Sequence, residues 1–452
     1  MPCKLYADRD VAMLGFGRSG RAVVDFLLPL GARITVYLPE APPSEIRERY
    51  CPLGVRFAVG ELPPRIPCEL LVRSPVIRPD IAPIAASVAA GAELTSETEL
   101  FLRHCPAPVI GVTGSDGKTT TASLSAQLLK GMGKRVWLGG NNGVPLLPRV
   151  WEMRTEDVVV LELSSFQLMT VEQAPQVAVI TNITPNHLNW HTDMGEYVAA
   201  KERILSTRTA FLVTNADCAI TREIAKTVGL PLGLFSSSGE LPQGCDIGLT
   251  VRDDLLCVRQ KNGETRHVLG DFHLPGRHNL ENLMAAYAAV TVVLGRQPTL
   301  DVLADFRGVD HRLQYVDTVG GVRFYNSSID TSPTRTAAAL SAMAGNPVVI
   351  AGGRGKGISL EPLADALARR ASAVFLYGET GEVLQRALTG RVPVHRFAAF
   401  AAAFTAAAAW ARPGDTVLLS PGCTAFDQFA DFEARGRTFC ALVAEWKASK
   451  MR

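Results

Sequence analysis

The stretch TGSDGKTTT, Thr113 to Thr121, holds the residue types that grip a phosphate. Glycine lets backbone N–H groups approach phosphate oxygens, and a following helix aims the positive end of its dipole at them. Lys118 can reach terminal phosphates as a point charge. Thr119 can offer a hydroxyl to Mg2+, and Thr120 and Thr121 can donate further bonds. In the usual G-x-x-x-x-G-K-[ST] spacing the first glycine would fall on Val112. This loop must instead curl through Gly114 and Gly117, with Ser115 and Asp116 between them. The plain structural alternative is a Gly-rich strand-to-helix turn without a ligand. The residues alone leave the fate of the phosphate open: transfer to water, transfer to a hydroxyl, or use as a leaving group.

A cation on the phosphates needs more than one oxygen ligand. Glu162 closes the apolar run VVVLE, where an unpaired buried carboxylate would be costly. A metal resolves that cost; so would a salt bridge or a helix cap. Lys201, in EYVAAKERIL, reads by composition as a surface helix lysine. Asn279 and Asn282 in RHNLEN stand three apart on one helix face, where capping and solvent contact are ordinary.

The elements that must position these groups follow from the apolar pattern. VAMLGFGRSGRAVVDFLLPLGARITVYLP reads as strand, Gly turn, helix, strand. A boundary is expected near Pro106–Pro108. PVIGVTG, RVWLGG, DVVVLELSS, VAVITNI and TAFLVTN then read as buried strands, suited to a parallel sheet covered on both faces. A second boundary is expected near Gly308–His311. VRFYNSS, PVVIAGG, AVFLYGE and DTVLLSPG repeat the style, and AAAFTAAAAWA reads as a plain helix. The expectation is an α/β chain of three consecutive domains, 1–107, 108–309 and 310–452, with active groups at the C-terminal ends of strands.

Composition bounds the partners. The chain has 452 residues and a net charge of +2, which gives no reason to expect nucleic acid or a charged membrane surface. Neither a secretory signal nor an apolar run long enough to span a bilayer is visible. Nine Cys and eight His are scattered without metal spacing, which reads as reduced thiols in a cytoplasmic protein and argues against a preformed zinc site.

TGSDGKTTT, ELSSFQL, TNITPNHLNWH, YVAAKERI, LPGRHNLENLMAA and DHRLQ occur in that order, and with SPGCTAFDQFADFEARG the chain resembles the Mur ligases. These are ATP-dependent amide-forming enzymes of bacterial cell-wall precursor synthesis. The resemblance implies a Rossmann-like N-terminal domain, a central P-loop-type ATPase and a Rossmann-like C-terminal domain. It implies that the γ-phosphate goes to a substrate carboxylate, and that an amine displaces it from the acyl phosphate. The implied substrates are UDP-N-acetylmuramoyl-L-alanine and D-glutamate, with ATP and two Mg2+ ions, in a cytoplasmic monomer.

Residue by residue, the resemblance gives ATP to Gly114–Thr120, Asn279, Asn282 and Arg312. It gives metal to Thr119, Glu162, His187 and Lys201, the last as a carbamate. A polar loop whose His187 caps a helix is the plainer reading of NITPNHLNWH. Lys118 and Lys356 would hold the transferring phosphate. Arg18, Ser19, Ser74 and Asn141 would bind the nucleotide-sugar, and Thr331, Thr424, Ala425 and Phe432 would form the amino-acid site.

The chain departs from the family pattern in places. GFGRSG fits G-x-G-x-x-G, but the next strand ends in Leu38 and Pro39 where an NAD site would want an acid. Glu40 is the nearby substitute for recognising uracil. Where relatives read N-D-S-K-A-T-N this chain reads NSSIDTS, with Ser327 for Asp and Ile329 for Lys, and Ala425 replaces a serine. Arg335 or Arg354 would then supply charge to a dicarboxylate amino acid. The remaining alternatives are the same chemistry with L-glutamate or another amino acid, a folylpolyglutamate-type ligase, a P-loop phosphotransferase or regulatory ATPase, and a nicotinamide oxidoreductase.

Overall fold

The structure, a computed structural model, describes residues 5–450 apart from 142, 143, 207, 271, 273, 275, 305 and 307. Its strands form three sheets. The first holds β1 (Asp10–Leu14), β2 (Arg33–Leu38), β3 (Arg56–Val59), β4 (Leu70–Arg73) and β5 (Glu93–Thr95), in the order β3-β2-β1-β4-β5. All its pairings are parallel, and β1 lies at the point where the strand order reverses.

The second sheet holds β6 (Val109–Thr113), β7 (Val136–Gly140), β8 (Val158–Glu162), β9 (Val177–Ile180), β10 (Phe211–Asn215), β11 (Leu232–Ser236), β12 (Ile247–Arg252), β13 (Leu255–Gln260) and β14 (Gly263–Val268). Its order is β14-β13-β12-β11-β10-β9-β6-β8-β7. β6, β8, β9 and β10 are buried at every residue, as continuous Val/Ile/Leu runs require when both faces are covered. β12, β13 and β14 instead form an antiparallel meander that ends on a largely exposed edge.

The third sheet holds β15 (Gln314–Val319), β16 (Val322–Asn326), β17 (Val348–Gly352), β18 (Ala373–Tyr377), β19 (Val394–Arg396) and β20 (Thr416–Gly422), ordered β15-β16-β20-β17-β18-β19. The Ala-rich run is the helix Phe400–Trp410, which lays Phe400 against Tyr377 of β18 and Phe404 against Phe324 of β16 in the core of this sheet.

The chain divides into two compact units, Met1–Leu269 with Leu280–Val302, and Gly270–Asn279 with Leu303–Arg452. The first contains both the five- and the nine-stranded sheets. One apolar core runs through them, from Val23 and Phe26 to Leu161 and Ile180. Among the described residues no helix is long and apolar enough to cross a membrane, and every cysteine is unpaired.

Candidate active site

In the second sheet β6 sits between β8 and β9, the reversal point at which open α/β sheets bind ligands beyond their strand ends. The glycine loop leaves β6 there. Gly114 has φ +145° and Gly117 φ +79°, conformations that favour glycine. A Cβ on Gly114 would run into Thr181 Oγ1, and one on Gly117 into Asn282 Oδ1. The loop is pinned from the β9 side: Ser115 N–H donates to Asn182 O at 2.9 Å and Asp116 N–H to Asn182 Oδ1 at 3.0 Å. The helix Lys118–Gly131 follows, and the first amides of a helix have no partner within it.

Some loop side chains point elsewhere than the sequence reading placed them. The Ser115 hydroxyl is buried, donates to Thr184 O at 2.9 Å and lies 3.0 Å from Tyr197 Oη, so it braces the loop from behind. Thr121, expected to donate to phosphate, is fully buried and donates to Asn282 Oδ1 at 3.2 Å. Asn282 therefore supports the underside of the loop. Thr120 and Asn279 are buried as well.

Two lysines converge on one carbonyl. Lys118 Nζ donates to Gly114 O at 3.0 Å and to Ser115 O at 2.9 Å. Lys201 Nζ donates to the same Gly114 O at 2.8 Å. Lys201 is only 1 % exposed and rests 4.6 Å from the centroid of the Tyr197 ring, so the reading of a surface lysine is wrong. The helix Met194–Glu202 presents it to the loop 87 residues earlier. Burial, then the charge of Lys118, pushes its amine down from 10.5 to about 6.

Glu162 ends β8, paired in register beside Val112. Its Oε1 accepts from Asn141 Nδ2 at 2.8 Å, and Asn141 N–H also donates to Glu162 O at 2.8 Å. Among the described residues its Oε2 is buried with no hydrogen-bond partner. Asn141, expected at the nucleotide-sugar, thus orients this carboxylate. His187 has φ +56° and packs 4.9 Å from the Phe166 ring. Burial, then the charge of Lys118, lowers its pKa, which favours the neutral imidazole. An orphaned buried carboxylate oxygen, a neutral imidazole and an amine biased to neutrality fit a divalent cation once that amine gains CO2. Among the described residues no three His, Cys, Asp or Glu converge, so such a set needs Lys201 or Thr119 to complete it.

At the first sheet, Gly15 has φ +82° and Gly20 packs against its carbonyl. Ser74 N–H donates to Leu14 O at 2.9 Å, which sets Ser74 beside the glycine turn. Arg18 is exposed and Ser19 half-buried at the start of the helix Arg18–Leu27. A hollow of about 430 Å³ lies over the strand ends, lined by Gly15, Tyr37, Leu38, Glu61 and Ile77 among others. Glu40 lines a separate hollow of about 270 Å³ with Phe16 and Ile46. The acid at the larger hollow is Glu61, after β3, which the sequence reading missed.

In the second unit, Lys356 Nζ donates to Thr331 Oγ1 at 3.1 Å, and Thr424 Oγ1 donates to Arg354 O at 2.9 Å. Arg354 pairs with Glu379 at 2.8 Å, so its charge is already answered. Arg335 donates to Ile329 O at 3.1 Å. Ala425 is buried, and Phe432 O accepts from Ser328 Oγ at 2.8 Å. Arg312 begins near the β15 edge, its N–H on Val309 O at 3.0 Å.

Two buried charges here were not foreseen. Asp330 accepts from Ser420 Oγ at 2.8 Å, and burial raises its pKa. Arg435 bonds Ser328, Tyr377 Oη and Cys423 O, tying the loops after β16 and β20 to the end of β18. The RG pair in FEARG was its only sequence signal.

The Mur ligase middle domain matches residues 112–290, and the glutamate ligase domain of Mur ligases matches residues 311–423. The chain belongs to the Mur ligase family and is an ATP-dependent ligase. It is similar to the UDP-N-acetylmuramoylalanine–D-glutamate ligase of Acetivibrio thermocellus, 39 % identical, with 97 % of each chain covered. It is also similar to the ligase of the same name from Symbiobacterium thermophilum, 39 % identical, with 96 % of this chain and 97 % of that one covered. A MurF ligase of Thermotoga maritima, solved with ADP, shares the fold at TM-score 0.55 and 18 % identity, covering 99 % of this chain and 96 % of its own.

Proposed function

We propose that the protein joins D-glutamate to UDP-N-acetylmuramoyl-L-alanine at the expense of ATP, in peptidoglycan precursor synthesis. The observation that carries this reading is the buried Glu162 oxygen, without a partner among the described residues, at the strand end beside a glycine loop whose Gly114 carbonyl collects Lys118 and Lys201. Residues 1–107 would take the nucleotide-sugar, 108–309 the ATP, and 310–452 the amino acid. The enzyme would act as a cytoplasmic monomer.

The substrate carboxylate attacks the γ-phosphorus, the β–γ bridge bond breaks, and ADP leaves. The amine then attacks the acyl carbon and loses a proton, and the C–O bond breaks as inorganic phosphate departs with its electron pair, a leaving group that a free carboxylate lacks. Lys118 leaves the loop carbonyls for the phosphates, and Gly117 with the helix start supplies amides. Thr119, Glu162, His187 and carbamylated Lys201 would hold Mg2+. Bound there, the ions would neutralise charge on the transferring phosphoryl group. Lys356 and Arg312 would add cations from the C-terminal part, Lys356 to the phosphoryl group and Arg312 to the nucleotide. Thr331, Thr424 and Phe432 would seat the amino acid.

Product analysis by mass spectrometry with ATP, UDP-N-acetylmuramoyl-L-alanine and each glutamate enantiomer tests this. The expected product carries one D-glutamate. ATP consumed with no amide formed would sink the proposal, and a product from L-glutamate alone would move it to the other enantiomer.

A further inference from the structure

Arg78 lies outside every motif, in the loop that leaves β4 after Ser74, yet all five of its N–H donors are engaged. Nε donates to Asp80 Oδ1 at 2.9 Å and Nη2 to Asp80 Oδ2 at 2.7 Å. Nη2 also donates to Glu196 Oε1 at 2.7 Å, and Nη1 to Glu196 Oε2 at 3.1 Å and Trp190 O at 2.8 Å. The guanidinium stands 5.2 Å from the Trp190 ring centroid, and Trp190 Nε1 donates to Val76 O at 3.1 Å. The loop after β4 is therefore tied to the segment that follows His187 from both directions.

The chain of contacts continues inward. Glu196 Oε2 also accepts from Thr192 N–H at 2.8 Å and lies 3.2 Å from His191 Nδ1. His191 is 2 % exposed, and its Nε2 lies 2.9 Å from Ser165 Oγ. An acid on one ring nitrogen fixes the tautomer: Nδ1–H donates to Glu196 and Nε2 accepts the Ser165 proton. Ser165 follows Glu162 by three residues, and Glu196 shares a helix with Lys201. Phe166 packs between His187, Trp190 and His191 at 4.9, 4.4 and 5.6 Å. Arg73, buried at the end of β4, donates to Pro75 O and Ile77 O and also to Phe166 O and Thr170 Oγ1.

We infer that Arg78, acting through Glu196 and His191, is a positioning residue for the ligation. It locks the nucleotide-sugar loop to the elements that carry Glu162, His187 and Lys201. This rests on the function proposed above. The physical reason is one of tolerance: a reacting carboxylate brought by one loop must meet a phosphate held by another, and a misplacement of about 1 Å can lower the rate about a hundredfold. A bare salt bridge on the surface would be worth little. A five-donor fork that also seals two loops is a geometric constraint.

The test uses Arg78→Met, Arg78→Lys, Glu196→Gln and the double variant Arg78→Met/Glu196→Gln in the full chain. Steady-state ligation is measured beside calorimetric titration with UDP. For Arg78→Met the expectation is kcat down about a hundredfold, KM for the nucleotide-sugar and Kd for UDP up about tenfold, and KM for ATP within about twofold. Arg78→Lys recovers only part, because an ammonium cannot span Asp80, Glu196 and Trp190 O together. The double variant is no worse than Arg78→Met, since both residues act as one unit. Unchanged kcat, equal shifts in both KM values, or additive effects in the double variant would overturn the inference. If the wild-type protein forms no amide, the proposed function fails and the UDP titration decides alone. A tenfold weaker Kd in Arg78→Met then upholds the lock, and an unchanged Kd overturns it.

Discussion

Replacing Lys201 by Met makes the protein more stable and less active, with a stability gain that depends on pH. Lys201 Nζ is nearly sealed from water and, among the described residues, meets no carboxylate at hydrogen-bond distance; its bonds go to Gly114 O and Thr113 Oγ1. Burial and Lys118 depress its pKa from 10.5 to about 6. Between those two values the unfolded chain binds a proton that the folded chain does not, so stability rises with pH across that window. The penalty is constant below about pH 6, shrinks from there upward, and is gone above about pH 10.5. At pH 7.5 it spans about three pH units, or about 4 kcal/mol at 1.36 kcal/mol per unit. Met fills similar volume without a charge but loses the bond to Gly114 O, worth about 1 kcal/mol. The variant should therefore exceed the wild type by about 3 kcal/mol at pH 7.5, the gap closing as pH approaches 10. Urea unfolding in carbonate-free buffer, followed by the fluorescence of Trp137, Trp151 and Trp190, measures it. Adding 13C-labelled bicarbonate should give the wild type, and not the variant, a carbamate resonance, since an amine with pKa about 6 is mostly neutral at pH 7.5. A gap that stays the same from pH 7 to 10, with no carbamate signal, would show an ordinary ammonium at Lys201 and refute the reasoning.

Gly114→Ala puts a Cβ at φ +145° against Thr181 Oγ1 and should lower stability by about 1–3 kcal/mol, read as a fall in thermal midpoint, and raise KM for ATP. Glu162→Gln should leave stability nearly intact, because the amide oxygen keeps the bond from Asn141 Nδ2, while kcat drops about 10²–10³-fold and half-saturation by Mg2+ rises in a metal titration. Restoring the family residues by Ile329→Lys with Ala425→Ser should lower KM for D-glutamate about tenfold or more, as one added charge-assisted hydrogen bond is worth about 1.5–3 kcal/mol. An unchanged KM would show that the site has found other partners for the carboxylates.

The parts legible in the sequence are those set by short-range pattern. β6, β8, β9 and β10 are apolar at nearly every position because both faces are covered, and the glycine loop announces itself because its glycines adopt φ values that side chains avoid. The meander β12–β14 carries a sequence signal as well: Asn262–Gly263 marks a hairpin, and Asp253 and Asp254 both take positive φ at the other turn. Its polar outer strand simply lacked the apolar run that marks the others. Long-range partners are a different matter. Nothing near Lys201 in the chain says that a carbonyl 87 residues earlier will close over it, and nothing near Arg78 names a glutamate 118 residues later. A lysine on a helix and an arginine in a loop look solvated until the fold surrounds them. Burial turns the lysine toward a neutral amine, and hydrogen bonds to Asp80, Glu196 and Trp190 O turn the arginine into a fixed fork. The groups that do the chemistry can therefore be named from sequence when a loop or strand end carries them, whereas the groups that tune and align them appear only once the strand order has brought distant segments to one edge of the sheet.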